Sequence, residues 1–183
     1  MGAEQRLAFN MAEERSGCGM NSIRIVFLDF DGVINSAEYR TYRPPLDSRF
    51  GWSTPEHEDW SLDKSAIRRL NRLADLPDVG IVVSSMWRIP RSLADLRELL
   101  VRNGFTGKLI CKTPVLKETR GHEVQEWLRA TARKVSSFVI LDDDFDFMVF
   151  GRDRLVLTDE DVGLTDDDVD KAIEVLDRPW SGL

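Results

Sequence analysis

Two acidic clusters in this chain each follow an apolar run. Asp29 and Asp31 lie in Ile-Val-Phe-Leu-Asp29-Phe-Asp31-Gly-Val, and Asp142, Asp143, Asp144 and Asp146 follow Phe138 to Leu141. Carboxylates one residue apart project from the same side of an extended chain, and Gly32 permits a sharp backbone exit. Phosphoryl transfer can use such a pair asymmetrically. One carboxylate attacks phosphorus and forms an aspartyl-phosphate; the other protonates the leaving oxygen and later activates water. Carboxylates crowded at one spot repel unless a cation neutralises them, and Mg²⁺ held by one or two of them plus a phosphate oxygen is the usual solution. Asp142, Asp144 and Asp146 have the 1-3-5 spacing of a calcium-binding EF-hand loop. That reading fails, because the sixth position is Phe147 instead of glycine and the twelfth is Asp153 instead of glutamate.

Ser84 and Ser85 follow a third apolar run, Ile81 to Val83. Ser84 is a poor nucleophile candidate, since the chain has only two histidines, His57 and His122, neither near it in sequence. Arg88 lies four residues beyond Ser84 and is read either as a contact to phosphate or as a surface arginine at a helix entrance. From Ser84 to Arg120 there are eight basic residues against three acidic, whereas from Leu141 to Asp170 twelve acidic residues face two arginines. Two readings stay open: solvated surfaces of opposite sign, or a metal-binding acidic corner beside an anion-binding basic one.

Positioning these groups requires a scaffold, and the pattern supplies alternating strands and helices. Ile23 to Leu28, Val79 to Val83, Lys108 to Cys111, Phe138 to Leu141 and Leu155 to Leu157 read as strands. Ser61 is placed as the cap of a helix with the stripe Leu62, Ala66, Leu70 and Leu73. Ser92 with Asp95 reads as a capping box before Leu93, Leu96, Leu99 and Leu100, closed by Asn103-Gly104. Val124, Trp127, Leu128 and Thr131 mark a further helix. The last starts at Thr165, with Asp168 as capping partner and Val169, Ala172, Ile173 and Leu176 as its stripe. This alternation predicts an α/β fold: a Rossmann-like three-layer sandwich with a mainly parallel five-stranded sheet. Ligands bind such sheets outside the carboxyl ends of the strands, where strand order reverses. Asp29-Phe-Asp31, Ser84-Ser85, Lys112-Thr113 and Asp142-Asp143-Asp144 should therefore share one edge.

About thirty residues after Gly32 break the rhythm, a length that signals a lid, a binding loop or disorder, the last disfavoured by the aromatic content. They hold Tyr39, Tyr42, Phe50, Trp52, His57 and Trp60 with Arg40, Arg43 and Arg49, so base stacking and simple packing onto the body are both open. Residues 1–22 show no periodicity, are read as an N-terminal extension, and are assigned no function. The chain has 183 residues, and the remainder, 23–183, fits one domain with an insertion at about 33–60. A net charge of -7 argues against non-specific nucleic-acid binding by the whole surface. No apolar run approaches membrane-spanning length, and two distant cysteines, Cys18 and Cys111, suit a reducing cytoplasm.

The order of these motifs resembles the haloacid dehalogenase-like (HAD) superfamily. Asp29-Phe-Asp31-Gly-Val looks like its first motif, Ser84 after Ile81 to Val83 like its second, and Asp142-Asp143 with Asp146 like its fourth. More narrowly, Ser84-Ser-Met-Trp87-Arg88, Arg120-Gly-His-Glu123-Val-Gln-Glu-Trp127-Leu, Leu141-Asp-Asp-Asp144 and Gly163-Leu-Thr165 resemble the HAD domain of Swiss Army Knife RNA repair proteins. The resemblance implies Asp29 as nucleophile and Asp31 as general acid/base, with the Asp31 carbonyl also reaching Mg²⁺. It implies Asp142 as main metal ligand, helped by Asp143 or Asp146, and Ser84, with Ser85 beside it, at a substrate phosphate. A third-motif Lys or Arg should offset the charge on Asp29: Arg120 fits best, then Lys117, which could also meet phosphate, then Lys112. The insertion stands where the superfamily carries a flap or small cap. The expected activity is a Mg²⁺-dependent phosphatase acting on a phosphorylated substrate, such as a nucleic-acid end or nucleotide. The rival is a non-catalytic HAD-fold module that binds a phosphorylated partner. Against it stand Asp29 and Asp31, because binding alone has no use for an acid/base carboxylate. Dehalogenase chemistry has no use for the acidic cluster.

Overall fold

The computed structural model describes residues 22–42 and 62–182. Five strands form one sheet: β1 (Ile23–Leu28), β2 (Val79–Val83), β3 (Leu109–Lys112), β4 (Val135–Asp142) and β5 (Leu155–Leu157). Their order is β3-β2-β1-β4-β5, and every pairing is parallel. The helices are α1 (Ala37–Tyr42), α2 (Lys64–Ala74), α3 (Leu93–Arg102), α4 (Arg120–Ala130) and α5 (Asp166–Leu176).

Alternation along the strands divides the core between two faces. Val26, Leu28, Ile81, Val83, Val139 and Leu141 pack with the stripes of α2, α3 and α5 on one face. Ile25, Phe27, Val82, Phe138 and Ile140 pack with Val124, Trp127 and Leu128 of α4 on the other. Among the described elements, α2, α3 and α5 cover one face and α4 the other. Strand order reverses at β1, because α4 carries the chain from β3 back across the sheet to β4, on β1's free side. The crevice between the ends of β1 and β4 is the position where such sheets bind ligands.

Several boundaries differ from the sequence expectation. The helix assigned to a Ser61 cap begins later, at Asp63, whose carboxylate accepts the Ser65 N–H at 2.7 Å; Ser61 itself lies outside the described residues. β4 starts three residues before Phe138, because the Ser137 hydroxyl is buried and bonds to the Val175 and Arg178 carbonyls. Both predicted capping boxes, Ser92–Asp95 and Thr165–Asp168, are present. The stretch after Gly32 contains α1, which has no long period to betray it. Phe50, Trp52, His57, Trp60, Arg43 and Arg49 lie outside the described residues, as do residues 1–21. No helix among the described residues is long and apolar enough to cross a membrane.

Candidate active site

The sheet ladder extends one residue past each strand and fixes the residues that follow. Asp29 N–H donates to Leu141 O at 3.0 Å, Ser84 N–H to Leu28 O at 3.0 Å, Thr113 N–H to Val83 O at 2.9 Å, and Thr158 N–H to Asp142 O at 2.9 Å. The expected edge thus forms in register. Asp29 and Asp142 are buried at its centre, and with Asp143 they offer carboxylate oxygens that all lie within 4.8 Å of one another. Gly32 is part of this arrangement. Its φ of 72° is costly for other residues, and a Cβ there would stand 2.2 Å from an Asp143 oxygen.

Arg120, the first residue of α4, reaches into the cluster. Its guanidinium donates to Asp29 Oδ2 at 2.5 Å and to Asp142 Oδ1 at 2.6 Å, with Asp144 at 4.0 Å. Helix α4 comes this close because residue 121 is glycine: a Cβ there would lie 2.8 Å from Asp146 O and 3.0 Å from Phe147 Cα. Burial and the adjacent Asp29 carboxylate push the Asp142 carboxyl up to about 8, against the pull of Arg120. Burial also raises Asp143. For Arg120, burial opposes the charge, yet Asp142 and Asp29 together hold it above its ordinary range. One Asp142 oxygen, Oδ2, is buried without a hydrogen-bond partner. That acceptor, in a set of hard oxygen donors, fits a divalent cation such as Mg²⁺.

Asp31 stands apart. Its Oδ2 accepts the Trp87 indole N–H at 2.8 Å and its Oδ1 lies 3.7 Å from Arg40, on a half-exposed side chain. Ser84 Oγ is fully buried and unpartnered, as are Thr113 Oγ1 and Asn35 Oδ1. Among the described residues, three of the four unpartnered buried side-chain polar atoms, on Ser84, Thr113 and Asp142, follow or end strands β2 to β4 at this edge. Buried polar groups are normally satisfied, so this concentration leaves hydrogen-bonding capacity open to a polar ligand.

The family comparison agrees with this geometry. Residues 25–169 match the family model described as the HAD domain in Swiss Army Knife RNA repair proteins. The chain belongs to this family. No curated protein and no solved structure shows significant similarity to it. Membership in the HAD domain family points to hydrolase chemistry of the phosphatase type.

Not every predicted residue of this HAD domain takes the expected place. Arg88 is corrected: it is 1% exposed, and all five of its N–H groups have protein acceptors, so none is left for a phosphate. Nε donates to Thr113 O, Nη1 to Ser84 O and Ser85 O, and Nη2 to Pro114 O and the Glu123 carboxylate. Ser85 Oγ caps the 3₁₀ turn Met86–Arg88 by accepting Trp87 N–H. Lys112 donates to the carbonyls of Arg88 and Arg91, and Lys117 lies exposed on the loop before α4. Of the three basic residues considered for Asp29, Arg120 is the one that reaches it. Among the eight cations of the basic run, Arg88, Arg97 and Lys112 bond to backbone carbonyls and Arg120 joins the acidic cluster. Sequence reasoning missed Trp87 and Glu123 as parts of the site or its support. Trp87 and Glu123 were visible only as letters of the family motifs, whereas Thr113 was signalled by its place after a strand.

Proposed function

We propose that this HAD domain is a Mg²⁺-dependent phosphomonoester hydrolase that works through an aspartyl-phosphate on Asp29, with a phosphorylated nucleic-acid end as substrate. The observation that carries the reading is the meeting of Asp29, Asp142 and Asp143 under the Arg120 guanidinium. An Asp29 oxygen attacks phosphorus, the bond from phosphorus to the substrate oxygen breaks, and the Asp31 carboxyl gives that oxygen its proton. Water then yields a proton to the Asp31 carboxylate while its oxygen attacks phosphorus. Inorganic phosphate leaves, and Asp29 returns as a carboxylate. Arg120 orients Asp29 and stabilises charge on the phosphoryl oxygens, and the buried Ser84 hydroxyl donates to one of them. Asp29, Asp142, Asp143 and the Asp31 carbonyl would hold Mg²⁺, which when bound neutralises negative charge at the reacting phosphate.

The family description supports the nucleic-acid part, since it names RNA repair proteins. A metal-dependent panel tests both parts: aryl phosphates, nucleotides, sugar phosphates, and RNA and DNA oligonucleotides phosphorylated at the 3′ or 5′ end. Turnover should vanish on chelation and in Asp29→Asn. Turnover that survives the substitution refutes the mechanism. Turnover without preference for oligonucleotides refutes the substrate class alone.

A further inference from the structure

Asp31 lies two residues from Asp29, yet its carboxylate is not among the three that converge with Arg120. We infer that Trp87 is a positioning residue: its indole N–H keeps the Asp31 carboxylate apart from the Asp29–Asp142–Asp143 cluster and available to the leaving oxygen. This rests on the role of Asp31 in the reading above. An indole N–H is a donor only, so the 2.8 Å contact to Asp31 Oδ2 has one polarity and moves no proton itself. Asp31 Oδ1 faces the Arg40 guanidinium at 3.7 Å, beyond hydrogen-bond distance, and on this half-exposed side chain it serves the proton transfer.

The indole is held firmly enough to do this. One face stacks on Phe30, with ring centroids 5.2 Å apart and planes 20° from parallel, and Phe30 is fully buried. Arg91 sits 4.6 Å from the ring centroid. The turn that carries Trp87 is capped by Ser85 and ends in the buried Arg88. The residue between the two aspartates thus has a role of its own: Phe30 seats the ring that orients Asp31. The two carboxylates of one motif are sorted into different jobs, one by Arg120 and the other by Trp87.

The test compares kcat/KM for phenyl phosphate, whose leaving group needs a proton, and 2,4-dinitrophenyl phosphate, whose leaving group does not. Trp87→Phe keeps the stack and removes the N–H. The expected loss is about ten- to thirtyfold on phenyl phosphate and under about twofold on the activated ester, the pattern expected of Asp31→Asn in milder form. Equal losses on both esters, or none, would overturn the assignment. If Trp87→Phe fails to fold, benzothienylalanine at position 87 keeps the ring shape without the donor and reads the same contrast. Retained turnover in Asp29→Asn would sink the underlying mechanism instead, a result separable from either outcome here.

Discussion

Removing the Glu123 carboxylate tests whether Arg88 belongs to the scaffold or to the substrate site. Arg88 and Glu123 are both almost fully buried; the guanidinium also ties together four carbonyls from the loops after β2 and β3, and Glu123 Oε1 accepts Leu116 N–H at 2.8 Å. Burial already lowers the Arg88 pKa, and Glu123 opposes that shift. In Glu123→Ala a charge would stay buried without its counter-ion, a loss of about 3–5 kcal/mol for a pair of this kind. For a chain of this size that is roughly a 6–20 °C fall in Tm. Glu123→Gln keeps an acceptor and should cost less, about 1–3 kcal/mol. Thermal and urea unfolding measure both, and KM for phenyl phosphate is read below the transition. An unchanged Tm together with a lowered KM would refute the reasoning, since it would mean that a released Arg88 turns to phosphate.

Gly121→Ala should destabilise by about 1–3 kcal/mol, because its Cβ meets backbone at Asp146 and Phe147; the displaced α4 should draw Arg120 from Asp29 and lower kcat/KM about tenfold or more. Unaltered kinetics in that variant would show that α4 does not position Arg120. The raised Asp142 pKa predicts a pH-dependent stability in metal-free protein. The folded carboxyl holds its proton more tightly than the unfolded one, so its contribution is full below 3.8 and is lost as pH rises towards about 8. Melting curves of metal-free protein should fall across that window more steeply than those of Asp142→Asn, and equal slopes would contradict the assignment. Ser84→Ala removes a buried hydroxyl that lacks a partner, so metal-free stability should hold within about 1 kcal/mol while kcat/KM falls about tenfold. Stability loss without a kinetic effect would make Ser84 a scaffold residue.

The sheet was legible because each strand is an apolar run ended by polar residues, and a parallel sheet buries both faces of its strands. Once the strands were placed, the shared edge of Asp29, Ser84, Thr113 and Asp142 followed from topology alone. Tertiary choices between chemically equivalent groups were not legible. Arg88, Lys112 and Arg120 are all cations near strand ends, and burial separates them: Arg88 and Lys112 satisfy backbone carbonyls of the segments after β2 and β3, whereas α4 lifts Arg120 over the acids. Asp31 and Asp143 look alike in sequence, yet an indole donor holds one and the space above Gly32 admits the other. The opposed charge runs left two readings open because they record composition along the chain. In the fold, Asp166 and Asp170 of α5 pair with Arg69 and Arg72 of α2, on the sheet face that α2, α3 and α5 cover.

The central claim concerns covalent chemistry at one oxygen, and rapid acid quench with peptide mass spectrometry addresses it directly. With Mg²⁺ and an aryl phosphate in turnover, the peptide containing Asp29 should carry an acyl-phosphate, whose carbonyl borohydride reduces with loss of phosphate to leave homoserine at position 29. Turnover with no such label, or with the label on another residue, would contradict the account.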